Sequence, residues 1–191
     1  MTMVDANELV ILVDEADRQI GTAPKLAVHR DGRLHRAISV QIADRRGRLL
    51  LQKRHIGKYH SGGLWTNTCC SHPRPGETVL AAAQRRLQAE MGIACALRPL
   101  FTTSYRANLD NGMVEHEIVH VFAGTYEGPI RPDPLEADGY DWVGPDALRA
   151  DLSRNVERYS AWFSIYVRDH WAEVASLVST AGSQLDDLEI A

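Results

Sequence analysis

The sequence predicts an α/β (α+β) fold, in which a β-sheet packs against helices. β-rich runs occur in pairs separated by turn residues, and further segments show helical periodicity. With 45% apolar and 24% charged residues, the composition is that of a globular protein. A chain of 191 residues is long enough to bury a core without disulfide bonds. We therefore expect a single domain over residues 1–178 and a flexible C-terminal tail over residues 179–191.

Two pairs of strands are predicted in the first part of the chain. Residues 9–13 form a short apolar run, and a second short patch ends at Gly21, which predicts a strand pair. The runs HRAISVQIAD and RLLLQKR flank a turn that contains Gly47, which predicts a hairpin over residues 35–54. Residues 57–75 are rich in Gly, Ser, Thr, Asn and Pro and lack either period, so we expect a loop there.

A helix and a second hairpin are predicted next. Thr78 is a candidate N-cap for a helix whose apolar residues recur at helical spacing until Gly92. Residues 97–105 and 114–126 are β-rich, and a DNG turn lies between them. This pattern predicts an antiparallel pair.

The last part of the chain is predicted to be mainly helical. Residues 140–143 are a candidate edge strand, and a proline opens a short helix over residues 145–150. The spacing of apolar residues predicts a terminal amphipathic helix over residues 160–178.

Charge and composition exclude several classes of protein. The 21 Lys and Arg residues against 25 Asp and Glu give a formal net charge of −4, which excludes binding to nucleic acid through bulk charge. No run approaches the ~18 apolar residues that a membrane span needs, and the N-terminus lacks a signal-peptide pattern. The three cysteines form neither a disulfide framework nor a zinc motif. We expect a cytoplasmic protein with no nucleic-acid partner and no membrane partner.

Two glutamates share one face of the predicted strand over residues 114–126. Strand periodicity places Glu115 and Glu117 on the same side as Val119 and Val121. Two like charges on a buried face are costly unless a cation or a shared proton compensates them. A solvent-facing pair at a strand end is the alternative. The buried arrangement predicts a metal site or a proton-transfer site.

Histidines are candidate ligands for such a cation. His29 and His35 flank a turn that contains Gly32, and His72 lies in the predicted loop. A lone histidine is more often a surface residue or a hydrogen-bonded core residue than a ligand. Three imidazoles with two carboxylates would suit Mn²⁺, Zn²⁺ or Fe²⁺ in an octahedral site.

The segment over residues 71–93 keeps the spacing of the Nudix box, G-x5-E-x7-R-E-U-x-E-E-x-G-U, where U is an aliphatic residue. Arg86 and Ala89 replace two glutamates of the box, so Glu77 and Glu90 are the carboxylates that remain. These carboxylates gather divalent ions in Nudix hydrolases, and the hydrolytic metal cluster is therefore depleted. Arg86 and Glu90 are also four residues apart and can form a helix ion pair. The matched positions are Ser71, Glu77, Arg85, Arg86, Leu87, Ala89, Glu90, Gly92 and Ile93.

Four segments together resemble the type I isopentenyl-diphosphate isomerases. They are LWTNTCCSHP at residues 64–73, the altered Nudix box, YRA at residues 105–107 and EHE at residues 115–117. The resemblance spans residues 9–167. It implies a Nudix fold, with a mixed and mostly antiparallel sheet sandwiched between helices. It also implies a site in a cleft between the loop around Cys70 and the strand at Glu115.

The resemblance implies roles for individual residues. Cys70 and Glu117 match residues on opposite sides of the substrate's double bond. Glu90 matches a carboxylate that holds a Mg²⁺ bridging to the diphosphate, and Trp162 matches an aromatic residue beside the hydrocarbon end. The matched ligands of a Mn²⁺ or Zn²⁺ ion are His29, His35, His72, Glu115 and Glu117, and the matched basic residues around the diphosphate are Lys25, Arg54, Lys58 and Arg86.

The implied activity is the interconversion of isopentenyl diphosphate and dimethylallyl diphosphate in isoprenoid biosynthesis. Moving the double bond from C3–C4 to C2–C3 requires a proton at C4 and loss of a proton from C2, through a tertiary carbocation. A carboxyl near a metal and the phenol of Tyr105 can supply one proton, while a thiolate or a water-relayed base can collect the other. The sequence does not determine which group donates a proton and which group accepts one. Trp162 can stabilise the cation through its ring face.

Two other functions fit parts of the same sequence. A Nudix pyrophosphohydrolase acting on a nucleoside diphosphate derivative is disfavoured by Arg86 and Ala89. A non-catalytic diphosphate-binding module is disfavoured because Cys70 and Glu117 form an acid–base pair that binding does not need. No Gly-rich turn between a strand and a helix predicts a nucleotide cofactor, so we expect no flavin. The expected partner is a small-molecule diphosphate, and the expected state is a monomer or a weak homodimer.

Overall fold

The computed structural model describes residues 8–109 and 111–177, so the predicted tail over residues 179–191 lies outside the described chain. This chain forms one sheet of nine strands. In chain order they are β1 (Leu9–Val13), β2 (Gln19–Pro24), β3 (His35–Ala43), β4 (Leu49–Arg54), β5 (Trp65–Thr66), β6 (Cys69–Ser71), β7 (Arg98–Asn108), β8 (Val114–Thr125) and β9 (Ala137–Val143). The helices are α1 (Lys25–Asp31), α2 (Val79–Met91), α3 (Pro145–Arg154) and α4 (Ala161–Asp169), with a 3-10 helix at Val156–Arg158 and a helical segment at residues 171–177.

Strand β3 is the centre of the sheet. It pairs antiparallel with β1, β4 and β6, and it pairs parallel with β8. Among the strand pairs of the described chain, β3–β8 alone is parallel, which confirms a mixed and mostly antiparallel sheet. Parallel neighbours need a long crossover, and the chain between β3 and β8 contains helix α2.

The register of β3 determines which side chains meet. His35 lies opposite Glu117 in the β3–β8 pair, and Ser39 lies opposite Cys70 in the β3–β6 pair. On the other side of β8, Tyr105 of β7 also lies opposite Glu117. A shift of one residue would turn each of these side chains to the other face of the sheet. The register itself therefore assembles the candidate site.

Helices cover both faces of the sheet. On one face, Val119 and Val121 share a core with Phe163 of α4. On the other face, Val40 shares a core with Leu87 of α2. Alternate residues of each strand point to different layers, and the predicted sandwich of a sheet between helices is confirmed. Within the described residues, no helix combines the length and the apolar character that crossing a membrane requires.

The predicted hairpin over residues 35–54 is wrong over most of its length. Strands β3 and β4 pair only at Ala43 and Leu49, beside the turn. They then diverge, because β3 pairs with β6 and β8 while β4 pairs with β5 and β9. The predicted loop over residues 57–75 supplies β5 and β6, whose short pairings have too few residues to show a period.

Three predicted elements in the second half have different bounds. The edge strand predicted at residues 140–143 begins earlier, at Ala137, and the short helix beginning at Pro145 continues to Arg154. The single helix predicted over residues 160–178 is interrupted, because α4 ends at Asp169 and the helical segment begins again at residue 171. Residue 178 lies outside the described chain.

Helix α2 has the predicted ends. The Thr78 hydroxyl accepts a hydrogen bond from the Ala81 amide at 3.2 Å, which satisfies one of the free donors at the N-terminus. At the other end, Gly92 has φ 66°, and a Cβ atom there would lie 2.9 Å from the carbonyl oxygen of Arg131. A glycine is therefore required for the chain to leave the helix in this direction.

We expect Thr78→Ala to lower the free energy of unfolding by about 1 kcal/mol, because the N-terminal amide loses its acceptor. Urea unfolding followed by circular dichroism measures the change. Thr78→Ser keeps the hydroxyl and is the matched control, with a loss of a few tenths of a kcal/mol expected. Equal losses in both variants would show that the hydroxyl does not cap the helix.

Candidate active site

A cleft with an open volume of about 570 Å³ lies at the ends of β3, β6 and β8. Its lining includes every residue predicted to belong to the site except His35, which is fully buried and 3.2 Å from His72. These lining residues are Lys25, His29, Arg54, Lys58, Cys70, His72, Arg86, Glu90, Tyr105, Glu115, Glu117 and Trp162.

Backbone carbonyls orient two of the buried histidines. His29 of α1 donates from Nδ1 to the Lys25 carbonyl at 2.8 Å, and His35 of β3 donates from Nδ1 to the Arg33 carbonyl at 2.9 Å. A carbonyl only accepts hydrogen bonds, so each Nδ1 carries the proton and each Nε2 keeps its lone pair. This is the arrangement in which proteins hold histidine ligands of metals. The Nε2 atom of His29 is buried without a hydrogen-bond partner.

Three acceptor atoms meet between β3, β8 and the end of β6. Glu117 Oε1 lies 3.1 Å from His72 Nε2 and 3.3 Å from His35 Nε2, and the two Nε2 atoms are 3.2 Å apart. The Nδ1 of His35 is engaged with the Arg33 carbonyl, and His72 Nε2 lies within hydrogen-bond distance of Glu117, so these three atoms have few hydrogens to share. Buried acceptor atoms with too few hydrogens between them have lone pairs without a partner, and a bound cation would provide that partner.

The two glutamates of β8 share a phenol. The Tyr105 hydroxyl lies 2.7 Å from Glu117 Oε2 and 3.1 Å from Glu115 Oε2. Burial and the neighbouring charge of Glu117 raise the pKa of Glu115 well above its usual range. Burial also acts to raise the pKa of Glu117, but contacts with His35 and His72 lower it below its usual range. One carboxyl of the pair therefore keeps a proton when no cation is present.

The donor set fits a divalent transition metal. The ligand atoms of His29, His35, His72 and Glu117 all lie within 4.8 Å of one another, and all four residues are buried. Imidazole and carboxylate are ligands that Mn²⁺, Zn²⁺ and Fe²⁺ accept. Glu115 falls in a second group, with His29 and His60.

Burial keeps the histidines of the cleft neutral. Burial lowers the pKa of His29 to about 4 and that of His72 to about 3. Burial, together with the nearby charge of Arg54, lowers the pKa of His60 to about 2. A neutral imidazole has the lone pair that a metal needs.

Cys70 is a protonated thiol held by hydrogen bonds. Its Sγ donates to Asn67 Oδ1 at 3.1 Å and lies 3.3 Å from the Ser39 hydroxyl. Burial is the main reason that the pKa of Cys70 is raised, to about 12. Cys70 lies on β6 and Glu117 on β8, so the two side chains reach the cleft from opposite sides of β3. The adjacent Cys69 points into the core against α2 and is fully buried.

The buried amide of Asn67 joins the thiol to the indole of Trp162. Its Oδ1 accepts from Cys70 Sγ and from Trp162 Nε1, at 3.1 and 3.2 Å. Its Nδ2 lies within 3.0 Å of the Ser39 hydroxyl, the Val40 carbonyl and the Cys69 carbonyl. Asn67 belongs to the WTN string of the sequence, but nothing in a single sequence shows where its hydrogen bonds go.

The cationic end of the cleft is neutralised by carboxylates. Lys25 lies 3.5 Å from Glu8, and Lys58 forms an ion pair with Glu136. Arg86 Nη2 lies 2.8 Å from Glu90 Oε1 and 3.1 Å from Glu136 Oε1. The predicted Arg86–Glu90 ion pair is therefore present, and Glu136 is a site residue that the sequence reading missed. It lies in the proline-containing loop before β9, where no motif marks it.

Arg54 is placed differently from the other three basic residues. It is buried, and it donates to the carbonyls of Ser61 and His60 at 3.1 and 3.2 Å. Its guanidinium carbon lies 5.0 Å from the centre of the Trp162 ring. Arg54 therefore supports the loop after β4 and the aromatic wall of the cleft as well as lining the cleft itself.

Comparison with known proteins gives one consistent family. The NUDIX domain model matches residues 33–163. Isopentenyl-diphosphate Delta-isomerase 1 of Aromatoleum aromaticum is 55% identical over 80% of this chain and 86% of the relative. Isopentenyl-diphosphate Delta-isomerase 2 of the same organism is 50% identical over 81% of this chain and 82% of the relative. The crystal structure of DR0079 from Deinococcus radiodurans is similar to this chain, with a TM-score of 0.71 and 19% sequence identity. The match covers 84% of this chain and 98% of that chain. At this level of identity, the similarity shows the fold alone.

We expect Asn67→Ala to lower the free energy of unfolding by about 3 kcal/mol or more, because several buried donors and acceptors lose their partner. Chemical unfolding measures this loss. Asn108→Ala removes an exposed amide and is the matched control, with a change below about 1 kcal/mol expected. A small effect of Asn67→Ala, comparable with that of the control, would contradict the role of this amide.

The metal-free protein should lose stability as the pH falls from about 6.5 towards 4. His29, His60 and His72 have ordinary pKa values of 6.5 when unfolded and lower values when folded. The unfolded state therefore binds more protons in this range, and each histidine contributes a slope of up to about 1.4 kcal/mol per pH unit. Urea unfolding of chelator-treated protein across this range measures the slope. A stability that is constant from neutral pH to pH 4 would contradict the buried, neutral state of these residues.

Proposed function

Because the chain belongs to the isopentenyl-diphosphate Delta-isomerase family of NUDIX-domain proteins, we propose that it interconverts isopentenyl diphosphate and dimethylallyl diphosphate. One observation carries the proposal beyond the family relation. A thiol on β6 and a carboxyl–phenol pair on β7 and β8 enter one cleft from opposite sides of β3. A double-bond shift needs such a pair, because one proton is added while another is removed.

The charged end of the cleft suits the diphosphate. Lys25, Lys58 and Arg86 provide cationic groups there, and each is paired with a carboxylate. We propose that the diphosphate replaces these carboxylates as the partner of the three cationic groups. Glu90 would help to hold a Mg²⁺ ion, which would supply positive charge to the diphosphate. Phosphate oxygens compete well for such partners, because hydrogen bonds between ionised groups are the stronger ones. The hydrocarbon part of the substrate then extends towards Cys70 and Trp162.

The proton transfers require two groups, one that donates a proton and one that accepts a proton, with these roles exchanged in the reverse direction. In the forward direction, the π electrons of C3–C4 form a bond to a proton at C4, which leaves the positive charge at C3. The electrons of a C2–H bond then form the C2–C3 double bond, and that proton passes to the opposite group. Cys70 is one group, and Glu117 with the Tyr105 hydroxyl 2.7 Å away is the other. Their roles exchange in the reverse direction, because the reaction follows the same path both ways.

The cationic intermediate needs a site without free water and with an electron-rich face. Trp162 is 2% exposed, and its indole is fixed by the hydrogen bond to Asn67. A cation–π contact with an indole is worth about 1 to 2 kcal/mol. The Tyr166 ring, which also lines the cleft, lies 6.4 Å from the Tyr105 ring. These aromatic walls exclude water, which would otherwise add to the cation.

We propose a Mn²⁺ or Zn²⁺ ion as the cation of the histidine and glutamate group. When bound, the ion supplies the positive charge that stabilises both glutamates as carboxylates. His29, His35, His72, Glu115 and Glu117 would hold it. The fixed Nδ1 atoms of His29 and His35, the unpartnered Nε2 of His29 and the buried carboxyl pair support this proposal.

Nucleoside diphosphate hydrolysis is less well supported. Arg86 stands where the Nudix box has a glutamate, and its guanidinium lies 2.8 Å from Glu90, one of the carboxylates that remain. A hydrolase of this fold needs those carboxylates to gather metal ions around an attacking water. Glu77 is engaged with Arg85 at 2.7 Å. The carboxylates that remain are thus paired with arginines.

The proposal is tested by offering both kinds of substrate. Purified protein is incubated with isopentenyl diphosphate, Mg²⁺ and Mn²⁺, and the products are separated by chromatography. We expect dimethylallyl diphosphate with no release of phosphate. In parallel, nucleoside diphosphate derivatives are supplied and phosphate release is measured. Phosphate release together with unchanged isopentenyl diphosphate would establish the hydrolase and reject the isomerase.

We expect Cys70→Ala and Glu117→Gln each to lower turnover by about 10²- to 10⁴-fold, because each removes one group of the proton-transfer pair. Initial rates on isopentenyl diphosphate measure the loss, and circular dichroism checks the fold. Cys95→Ala, at a half-buried thiol near α2, is the matched control and should retain the wild-type rate. A near-normal rate in either site variant would remove that residue from its assigned role.

A further inference from the structure

His60 is a buried histidine of the cleft to which neither the sequence motifs nor the family relation gives a role. It lies between β4 and β5 in residues 55–64, here called the 55–64 loop, and is 7% exposed. Its ring touches the edge of Trp162, with centroids 5.9 Å apart, and packs at 4.3 Å against Tyr59. Burying a polar ring beside carboxylates is costly unless its nitrogens find partners.

The 55–64 loop is held in a constrained conformation around His60. The Arg54 guanidinium binds the carbonyls of His60 and Ser61. The backbone of Ser61 has φ 51°, a conformation that residues other than glycine rarely adopt. At the next position, a Cβ atom on Gly62 would lie 2.4 Å from the carbonyl oxygen of Ile56. Backbone strain of this kind persists where the surrounding structure imposes it, and it clusters at functional sites. The fold therefore fixes the position of the His60 ring.

The free nitrogen of His60 faces two other ligand atoms. His60 Nδ1 lies 3.3 Å from the Ser61 hydroxyl, whereas Nε2 lies 3.7 Å from Glu115 Oε1, too far for a hydrogen bond. One ligand atom each from His29, His60 and Glu115 lies within 4.8 Å of the other two. The Nε2 of His29 has no partner. The Nε2 atoms of His29 and His60 thus make no hydrogen bond and lie beside a carboxyl, so a cation can take them as ligands.

His29 connects this group to the one formed with His35, His72 and Glu117. Its Nδ1 donates to the Lys25 carbonyl, so a single nitrogen remains and it can serve one ion. Because His29 can serve only one ion, both groups can ligate a single ion only if some of these side chains move closer, since the six residues are not all within 4.8 Å of one another as they stand.

We propose that His60 is a further ligand of the transition metal, bound through Nε2 together with His29 and Glu115. The inference rests on the metal site of the proposed function. It raises the candidate ligands from five to six, the number of an octahedral ion. It also links the ion to the diphosphate end of the cleft, because Lys58 belongs to the same 55–64 loop.

The direct test is X-ray absorption at the zinc edge of protein loaded with one equivalent of Zn²⁺ and no substrate. We expect four imidazoles per zinc in the wild-type protein. Three imidazoles, the number that the family relation implies, would overturn the inference. This measurement needs no variant, so a folding defect cannot obscure it.

The His60→Gln variant provides the second measurement. We expect its imidazole count to fall by one, and its Zn²⁺ and Mn²⁺ affinities to fall by at least about tenfold in competition with a chelator. His170→Ala removes a histidine that stacks on Phe101 outside the cleft, and should leave both quantities unchanged.

The outcomes separate this inference from the proposed function. If His60→Gln has the wild-type imidazole count and affinity, the inference fails while the isomerase and its five-ligand site stand. If the wild-type protein binds neither Zn²⁺ nor Mn²⁺, the metal site of the proposed function fails and this inference fails with it. If metal binding is as expected but isopentenyl diphosphate is unchanged, the proposed function fails and the His60 ligand stands.

Discussion

The burial of two neighbouring carboxyls on β8 is the constraint on which the rest of the site depends. Glu115 and Glu117 are 4% and 7% exposed, and no Lys or Arg of the described residues forms an ion pair with either. A buried pair of carboxylates without a cation is unfavourable, so one of them keeps a proton or an ion must bind. The Nδ1–H groups of His29 and His35 point away from the carboxyls, to backbone carbonyls, so the Nε2 atoms of these two residues are left for a cation. The pair thus accounts for both the proposed metal site and the proposed proton-transfer chemistry.

The same constraint relates the fold to the reaction. Parallel pairing of β3 with β8 brings His35 to Glu117, and antiparallel pairing with β6 brings Cys70 to the other side of β3. A diphosphate has its charge at one end and its reacting carbons at the other, and the cleft is divided in the same way. Cations paired with carboxylates occupy one end, while Trp162 and the thiol occupy the other. The net charge of −4 does not prevent diphosphate binding, because the local cations are close and partly desolvated.

Much of this architecture could be predicted from local patterns. The period and caps of α2 and the shared face of Glu115 and Glu117 are local properties, and both are confirmed. The divergence of β3 from β4 was not predictable, because it depends on which distant strands pair with each. Asn67, Glu136 and His60 were missed for a related reason, because their contacts join distant parts of the sequence. The bonds from Asn67 to Ser39 and Trp162 cross 28 and 95 residues, and the ring of His60 touches that of Trp162. A single sequence carries no signal of such contacts.

Proton NMR in D₂O is the most informative measurement on the proposed reaction, since it follows the hydrogens that move. The protein is incubated with isopentenyl diphosphate, Mg²⁺ and Mn²⁺, and the product is observed as it forms. We expect dimethylallyl diphosphate with deuterium in a methyl group, because the acid of the cleft exchanges with solvent before it protonates C4. The reverse reaction should add deuterium more slowly at C2 of isopentenyl diphosphate. Unchanged substrate, or product without deuterium, would contradict the transfer of protons through Cys70 and the Glu117–Tyr105 pair.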